Sequence, residues 1–433
     1  MKLFNKSLFE IIYNFKHYNI DNSLKDIKKI KNLSDEEFEN WQNGKKKEIL
    51  EYHFENNNLY KKYISNLNST WNSIKVVEKA LLQDDINNLI SKPYKLEELY
   101  KNKTSGSSGK PFIFTKDYYT QSRVWAARKH FLLGNGLDLS SKQAIFYRSA
   151  KSFKASLTEK IKDTILNRVR FDSTTSSVEH YENSINKFKN IKFDYLYGYT
   201  SAIVLFCRYL IEKNILLKNI CPTIKLVVVT AETCTKEDKE VIEKATGVKV
   251  KNEYGSADLG MIAFECSYGH FHLVEENLYV ETNDNNEMII TDLYNKSFPF
   301  VKYKLGDMAK ISSEKCSCGN RNRYIYDFMG RSNDIVKLKN GEEVLGYSFY
   351  QIVRPILEET NLLKEFFIKQ VDLDKFEFEI VSIKEFSKKT EDKLLKTANE
   401  YLNQDNKIFI KYTGKIEKPK TGKLKHFYSE LKD

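Results

Sequence analysis

The chain has 433 residues, of which 41% are hydrophobic and 13% aromatic, a composition that is typical of globular proteins and excludes intrinsic disorder. Its formal net charge is +11, from 70 Lys and Arg residues against 59 Asp and Glu residues, and the lysines are spread along the whole sequence. This spread is typical of a solvated surface and makes a nucleic-acid-binding protein the least favoured class, although it would also steer anionic substrates.

The sequence contains no run of about 18 apolar residues, so we expect no transmembrane helix. The N-terminal segment carries lysine and histidine throughout and has no small-residue cleavage site, so we expect no signal peptide. Contact of this segment with a membrane surface stays open as an alternative. Six cysteines in so long a chain do not suggest a disulfide framework, and we therefore expect a cytoplasmic protein.

Residues 1–100 are predicted to form a helical lead-in to a large N-terminal domain. Apolar side chains recur there at helical spacing, among them Trp41, Leu50, Phe54 and Tyr60. Such a stripe is typical of a helix face that packs on a core, so we assign these residues no ligand role.

The next stretch is the most distinctive in the chain, because it is small, hydroxylated and glycine-rich. Its residues are Thr104, Ser105, Gly106, Ser107, Ser108, Gly109 and Lys110. Glycine lets the backbone approach a ligand closely, and successive N–H groups and hydroxyls can surround a phosphate, with the charge of Lys110 beside it. The spacer between the glycines is too short for a Walker-type loop. A flexible linker is the alternative interpretation.

Residues 140–201 contain weaker candidates. Arg148, Arg168 and Arg170 could bind a carboxylate or phosphate, although an ordinary surface position is the preferred interpretation. The aromatic turn at 195–201 precedes an apolar helix, and it either lines a ligand site or caps that helix through Thr200 or Ser201.

Residues 226–254 are predicted to form a βαβ unit. A buried strand at 226–229 is followed by a helix that begins after Thr235 and ends at Gly247, and a second strand runs to residue 254. Such a unit implies a parallel sheet with a right-handed crossover, in which ligands bind beyond the carboxyl ends of the strands. Those ends carry polar residues in this sequence: Thr230, Glu232, Tyr254, Gly255, Ser256 and Asp258.

From residue 278 onwards the pattern changes to short alternating strands, which predict an antiparallel sheet or a partial barrel attached to the α/β core. Strands near 366–371, 376–381 and 408–410, with a helix near 391–402, predict a separate α+β domain over residues 331–433. The predicted fold class is therefore α/β: a large N-terminal domain (1–330) with mixed and parallel sheets and a β-rich subdomain, followed by a small α+β C-terminal domain.

Five stretches occur in a characteristic order, at 104–110, 254–258, 303–307, 330–334 and 419–423. Together they resemble the adenylate-forming (acyl-activating) superfamily, and in particular its phenylacetate–CoA ligase branch, which includes the CapK-type capsular polysaccharide proteins. The resemblance covers nearly the whole chain. It implies the adenylate-forming ligase fold, with a C-terminal domain that rotates about a hinge between two half-reactions.

The activity implied by this resemblance is ATP-dependent activation of a carboxylic acid as an acyl-adenylate, followed by transfer to CoA or another nucleophile. A sugar amine or hydroxyl in surface-polysaccharide biosynthesis is the alternative acceptor, and a non-catalytic nucleotide-binding protein on the same fold is the alternative class. The implied cofactors are ATP and Mg²⁺, with CoA as a further candidate. The related ligases are often dimers, so the resemblance also allows a homodimer.

The resemblance also assigns roles to residues. The loop 104–110 would hold the β- and γ-phosphates, Tyr254 would stack on adenine beside Gly255 and Ser256, and Glu232 would join this nucleotide-binding set. Asp258 would bind Mg²⁺, Asp307 would accept hydrogen bonds from both ribose hydroxyls, and Arg331 would support the nucleotide. Lys423, with Lys420 as the alternative, would stabilise charge on the carboxylate and the α-phosphate.

The sequence departs from the family pattern at several of these positions. Asp258 stands where the family usually has the longer Glu, and Asn333 stands at a commonly acidic hinge position. Lys304 and Leu305 replace an Arg and a Thr. None of these changes removes a charge that the first half-reaction requires.

Cys266, His272, Cys316 and Cys318 form a candidate Cys₃His zinc site, with His270 as an alternative ligand. A set made only of Cys and His ligands is typical of structural zinc. Reduced cysteines in a β-rich region are the alternative. The acyl group is expected near 197–201 and 231–258, where many aromatic residues are consistent with an aryl or other flat acid.

Overall fold

The computed structural model describes residues 8–15, 18–64, 70–104, 112–150, 152–175, 177–331, 335–346, 362–416 and 427–431, together with positions 349, 353 and 356. The chain divides into two compact units. The first comprises Met1–Glu281, Ile289–Leu305 and Ile311–Tyr326, and the second comprises Thr282–Met288, Gly306–Lys310 and Asp327–Asp433. The boundary predicted at residue 330 stays a proposal.

The N-terminal lead-in is helical, as predicted. Its helices are α1 (Leu8–Phe15), α2 (Ile20–Lys31), α3 (Asp35–Asn56), α4 (Asn58–Tyr63) and α5 (Ile86–Leu89), with short 3₁₀ turns at Trp71–Ser73, Leu81–Gln83 and Leu96–Glu98. Helix α3 begins with a capping box, in which Ser34 and Glu37 satisfy each other's backbone N–H groups. Leu50 and Tyr60 of the predicted stripe are buried, and His53 is buried between them.

A β-hairpin and a long helix follow the lead-in. Strands β1 (Tyr100–Lys103) and β2 (Ile113–Lys116) pair antiparallel on either side of the serine-glycine stretch. Asp117 then caps helix α6 (Tyr118–Gly134) by accepting a hydrogen bond from the backbone N–H of Thr120.

Within the described residues, the main sheet consists of eleven strands, β3 to β13. Their bounds are β3 (Gln143–Tyr147), β4 (Arg168–Asp172), β5 (Tyr195–Tyr199), β6 (Leu226–Thr230), β7 (Lys249–Ser256), β8 (Gly260–Glu265), β9 (Phe271–Leu273), β10 (Leu278–Thr282), β11 (Glu287–Asp292), β12 (Tyr303–Ser312) and β13 (Tyr324–Arg331). The spatial order is β10-β11-β12-β13-β9-β8-β7-β6-β5-β3-β4. Strands β4, β3, β5, β6 and β7 run parallel, and the direction reverses between β7 and β8.

Helices connect the parallel strands. They are α7 (Phe153–Ile165), α8 (Val178–Asn190), α9 (Thr200–Glu212), α10 (Leu217–Ile220) and α11 (Lys236–Thr246). The predicted βαβ unit is confirmed as β6, α11 and β7: Thr235 and Asp238 form a capping box, and Gly247 ends α11 with a left-handed φ of 74°. Of the two alternatives for the later strands, an antiparallel sheet is supported, because β13 pairs antiparallel with β9 and β9 with β8, in the same sheet as the parallel strands.

The second unit contains an α+β arrangement. Strands β14 (Ile335–Lys337) and β15 (Glu343–Leu345) form a hairpin, and a four-stranded sheet has the order β18-β17-β16-β19. The other bounds are β16 (Leu363–Asp372), β17 (Lys375–Ser382), α12 (Lys388–Leu402), β18 (Lys407–Tyr412) and β19 (Phe427–Ser429). The strands and the helix predicted between residues 366 and 410 are therefore confirmed.

Candidate active site

The two ends of the serine-glycine loop are joined by hydrogen bonds. The backbone N–H of Thr104 donates to the carbonyl of Phe112 at 3.0 Å, and the N–H of Phe112 donates to the Thr104 hydroxyl at 3.1 Å. Both residues are buried. The predicted phosphate-binding residues Ser105, Gly106, Ser107, Ser108, Gly109 and Lys110 lie outside the described residues. Thr104 and Phe112 therefore hold the two ends of this loop together.

The end of strand β7 brings Tyr254, Gly255 and Ser256 to a tight turn into β8. A side chain at Gly255 would place its Cβ 2.4 Å from the carbonyl oxygen of Gly260, so only glycine fits there. The Ser256 hydroxyl accepts a hydrogen bond from the backbone N–H of Leu259 at 3.2 Å. Tyr254 is half-buried beside this turn.

Asp258 lies buried at the same turn, only 4% exposed. The hydroxyl of Tyr303 donates to its Oδ2 at 3.0 Å. Magnesium sites commonly use one or two protein carboxylates and complete the coordination with water and substrate phosphate. A single carboxylate at this position fits that donor set, and among the described residues no cluster of three or more carboxylates competes with it.

A buried cation that the sequence analysis did not single out accompanies Asp258. Lys116, at the end of β2, is 1% exposed. Burial lowers the pKa of its ammonium group, and the charges of Asp292, Asp258 and Asp117 act in the opposite direction. The charge of Asp258 therefore acts on a buried ammonium group of the strand that follows the serine-glycine loop. The signal in the sequence is a lysine on the inward side of a short strand, which is too common to be diagnostic.

Glu232 is held at the start of helix α9. Its Oε2 accepts a hydrogen bond from the backbone N–H of Ser201 at 2.8 Å, and its carbonyl accepts one from the Thr200 hydroxyl at 3.4 Å. Ala231 turns the chain towards that helix with a left-handed φ of 67°. Glu232, rather than Thr200 or Ser201, therefore supplies the side-chain cap of α9, which competes with the nucleotide-binding role predicted for it.

Asp307 and Arg331 lie together in the second unit. Nε of Arg331 is 3.1 Å from Oδ1 of Asp307, and the Arg331 side chain is 47% exposed whereas that of Asp307 is 17% exposed. Two residues predicted to bind the nucleotide are thus brought into contact. Lys420, Lys423 and Asn333 lie outside the described residues.

The four candidate zinc ligands converge in the first unit. Donor atoms of Cys266, His272, Cys316 and Cys318 all lie within 4.8 Å of one another. The Cys266 and Cys316 sulfurs are 3.8 Å apart, which is the edge of a tetrahedron with Zn–S bonds of about 2.3 Å. Cys318 Sγ is 3.2 Å from His272 Nε2. The set therefore fits a closed Cys₃His site.

Surrounding groups orient these ligands. The Nδ1–H of His272 donates to the carbonyl of Asn322 at 2.8 Å, which leaves Nε2 directed towards Cys318. His270 Nδ1 is 3.2 Å from Cys316 Sγ, so the alternative ligand lies beside the same cluster. Burial acts to raise the pKa of the Cys316 thiol, but hydrogen bonds with the Cys318 backbone and the two histidines lower it overall.

Two of the three arginines of uncertain role have protein partners. Nε of Arg170 is 3.0 Å from Asp163 on α7, and Arg168 also pairs with Asp163 at 2.5 Å. Arg170 further contacts Glu159 at 3.3 Å. These contacts join β4 to α7, which supports the preferred structural interpretation of Arg168 and Arg170.

The chain is similar in sequence to Protein CapK from Staphylococcus aureus. The two are 23% identical over 448 residues, a match that covers 96% of this chain and 93% of that protein. No model of a known protein family matches the chain. No helix among the described residues has the length and apolar character needed to cross a bilayer.

Several solved structures have a similar fold. The structure of 2-hydroxyisobutyryl-CoA ligase in the postadenylation state, in complex with 2-HIB-AMP, matches with a TM-score of 0.70 at 14% identity and covers 93% of this chain and 91% of that chain. A benzoate CoA ligase from Burkholderia xenovorans LB400 matches with a TM-score of 0.51 at 13% identity, over 77% of this chain and 69% of that chain. The anthranilate CoA ligase AuaEII in complex with anthranoyl-AMP matches with a TM-score of 0.51 at 12% identity, over 74% and 64% of the two chains.

Proposed function

Because this chain has the fold of the adenylate-forming ligases and a CapK-type relative, both as the sequence predicts, we propose that it is an ATP-dependent ligase. It activates a carboxylic acid as an acyl-adenylate and passes the acyl group to a second nucleophile. The observation that carries this proposal is the fold likeness, over nearly the full length, to a CoA ligase in complex with 2-HIB-AMP.

In the first half-reaction a carboxylate oxygen of the acid attacks the α-phosphorus of ATP, and the bond to pyrophosphate breaks. The loop 104–110 would bind the β- and γ-phosphates with backbone N–H groups, hydroxyls and Lys110. Tyr254 would stack on the adenine ring. Asp258 would hold a magnesium ion, which neutralises charge on the phosphate oxygens when bound.

We also propose nucleotide-binding roles for charged residues of the second unit. Asp307 would accept hydrogen bonds from the ribose hydroxyls, with Arg331 beside it at 3.1 Å. Lys423 would stabilise negative charge as it develops on the reacting oxygen and the α-phosphate. In the second half-reaction a nucleophile attacks the acyl carbon, and AMP leaves. We propose CoA as this nucleophile, in keeping with the ligase activities named for the structural relatives.

ATP–pyrophosphate exchange with a panel of carboxylic acids tests this function. We expect exchange with at least one acid, and Lys423→Ala should lower its rate by about 10²-fold or more, because a preorganised positive charge is lost from the transition state. Lys420→Ala, three residues away, is the matched control and should have a much smaller effect. The reverse order would assign the role to Lys420, whereas binding of ATP without exchange with any acid would identify a non-catalytic nucleotide-binding protein.

The family resemblance of the sequence offers a second candidate acceptor, a sugar amine or hydroxyl in surface-polysaccharide biosynthesis. The two candidates share the first half-reaction and differ only in the nucleophile. Release of AMP from the preformed acyl-adenylate on addition of CoA would support the thiol acceptor. Release with amino sugars, and none with CoA, would support the sugar acceptor.

We also propose that Cys266, His272, Cys316 and Cys318 hold a structural zinc ion. The convergence of four donor atoms within 4.8 Å supports this proposal. The cluster leaves no open coordination position for a substrate, so the metal would join β8, β9 and the β12–β13 connection rather than take part in catalysis.

Metal analysis of the purified protein tests the zinc site. We expect about one zinc ion per chain, and its loss in Cys316→Ser/Cys318→Ser should lower the melting temperature, since binding free energy is converted into folding free energy. Cys234→Ser is the control, because Cys234 lies outside the cluster. A protein that carries no zinc after growth and purification with zinc present would contradict the proposal.

A further inference from the structure

Helices α1, α2, α6 and α7 lie on one face of the main sheet, and we call them the helical layer. Phe9 of α1, Leu24 of α2 and Phe131 of α6 share a buried core with Ile145 of β3. Ile165 of α7 packs against the same core. Helices α8, α9 and α11 pack on the core of the opposite face of the parallel strands. The outward side of the helical layer is therefore one side of the first unit.

Helix α1 is apolar on both of its sides. Its inner side packs on α6, with the ring centroids of Phe9 and Trp125 4.4 Å apart. Its outer side carries Leu8, Ile11 and Phe15, which recur at helical spacing and are all exposed. Phe15 is 83% exposed, the highest value for a large apolar side chain among the described residues. A helix that is apolar all round is normally covered all round, so the outer side of α1 calls for a partner.

Helix α7 has its acidic side chains inside and its apolar side chains outside. Asp163 is buried and pairs with Arg168 and Arg170 of β4. Leu157 and Ile161, one turn apart on the helix, are each 53% exposed. An ordinary surface helix has the reverse arrangement, with its apolar stripe on the core. Packing within the chain therefore does not account for the apolar character of this side of α7, and a partner outside the chain would.

The exposed charges of the helical layer are positive. Its exposed lysines belong to α2 and α7 and are Lys25, Lys28, Lys29, Lys154, Lys160 and Lys162. Every acidic side chain of the layer contacts a cation or a hydroxyl of the fold, a set that comprises Glu10, Asp21, Asp26, Glu159 and Asp163. The outward surface therefore combines exposed apolar side chains with exposed positive charge.

This combination discriminates between kinds of partner. A second copy of the chain, docked through the same surface, would bring two sets of lysines together, and like charges across an interface repel. A nucleic acid would attract the lysines but would leave the apolar side chains without an apolar partner. An anionic bilayer accepts both, because its headgroups attract lysine and the boundary between headgroups and acyl chains receives apolar side chains.

We infer that the helical layer docks this protein on an anionic lipid surface. Leu8, Ile11 and Phe15 of α1 enter the boundary between headgroups and acyl chains, as do Leu157 and Ile161 of α7, and the exposed lysines contact lipid phosphate groups. The contact is peripheral and requires no membrane-spanning helix. It goes beyond the ligase activity proposed above and does not depend on it, so the two are tested separately.

Flotation of the purified full-length chain with lipid vesicles tests this docking. We expect the chain to float with vesicles made of equal parts of phosphatidylcholine and phosphatidylglycerol, and not with vesicles of phosphatidylcholine alone. The bound fraction should fall as salt is added, because ions screen the attraction between lysines and headgroups. Equal flotation with both kinds of vesicle, or flotation with neither, would overturn the inference.

Lysine variants connect the binding with the helical layer. Lys25→Gln/Lys29→Gln should lower the partition coefficient on the anionic vesicles at least about tenfold, since each lysine near an anionic surface contributes roughly fivefold. Lys187→Gln/Lys189→Gln is the matched control, because it removes the same charge from exposed positions on α8, on the opposite face of the sheet. An equal loss in the control would show that net charge alone causes binding and would overturn the inference. All four side chains are exposed, so we expect both variants to fold.

A fluorescent side chain in place of Phe15 tests the apolar part of the contact. In Phe15→Trp, the additional emission relative to wild type should shift to shorter wavelength when anionic vesicles are added, and brominated lipid should quench it, because the ring leaves water for the bilayer boundary. Val178→Trp is the control, since Val178 is 63% exposed but begins α8 on the opposite face. Flotation without such a shift in Phe15→Trp, or the same shift in Val178→Trp, would overturn the inference.

Sedimentation velocity without lipid tests the second copy as the alternative occupant. Phe15→Ser/Leu157→Ser makes the outer side of the layer more polar without touching its core. We expect the same sedimentation coefficient for this variant and for the wild type, together with weaker flotation of the variant. Conversion of a wild-type dimer into a monomer by this variant would assign the surface to self-association and overturn the inference.

Discussion

The carboxylate of Glu232 performs the function of an N-cap side chain for helix α9. Tyr199 occupies the N-cap position but provides no side-chain hydrogen bond, whereas Oε2 of Glu232 accepts from the Ser201 N–H at 2.8 Å. A negative charge at this end of a helix also interacts favourably with the helix dipole. Glu232 therefore stabilises the fold as the cap of α9, whether or not it also contacts a nucleotide.

Glu232→Ala is expected to lower the free energy of unfolding by about 1 kcal/mol, the usual effect of losing a helix cap. Glu232→Gln should lower it less, because the amide oxygen can still accept the hydrogen bond. Denaturant unfolding without ATP measures both. Glu212→Ala, at the other end of α9, is the control and should have no destabilising effect. Unchanged stability of Glu232→Ala together with weaker ATP binding would instead support the nucleotide-binding role.

At the scale of elements, a buried histidine joins helix α3 to two distant segments. His53 is fully buried, with Nε2 2.9 Å from the carbonyl of Asn295 and Nδ1 2.9 Å from the Ser91 hydroxyl. A carbonyl can only accept, so Nε2 carries the proton and Nδ1 accepts from Ser91. Burial lowers the pKa of His53 from 6.5 to about 4, and the charge of Lys296 acts in the same direction.

This lowered pKa makes the stability depend on pH. The unfolded chain takes up the proton near pH 6.5, whereas the folded chain resists it down to about pH 4. The stabilisation is therefore complete above pH 6.5 and is lost as the pH falls towards 4, by at most about 3 kcal/mol. The difference in unfolding free energy between wild type and His53→Gln should shrink over this range. A difference that stays constant with pH would contradict this account.

At the scale of the whole molecule, local signals predicted most of the fold. The capping box at Thr235 and the glycine at 247 are sufficient to define α11 and hence the βαβ unit, because they act within a few residues. The Cys and His residues of the candidate zinc site could also be grouped from their types and spacing, and their donor atoms do converge.

The approach of Arg128 on α6 to Glu253 on β7, with Nη1 4.0 Å from Oε1, could not be predicted in this way. Arg128 and Glu253 are far apart in sequence and meet only because α6 packs on the parallel strands. Lys116 of β2 and Asp258 are also far apart in sequence, and the charge of Asp258 acts on the ammonium group of Lys116. Tertiary packing, which leaves no periodic signal in the chain, decides such contacts. The role of Glu232 as a cap was missed for the same reason, since its carboxylate binds the N–H of Ser201, 31 residues earlier in the chain.

The two hydrogen bonds between Thr104 and Phe112 have a thermodynamic consequence for any anion that binds to the segment between these residues. Bringing the two ends of a loop together reduces the conformational entropy of the chain, and here this reduction accompanies folding, since both ends are hydrogen-bonded and buried. The free energy of anion binding therefore does not include that part of the entropy loss. If a substitution at Thr104 weakened these hydrogen bonds, the entropy loss of closing the loop would accompany anion binding instead of folding.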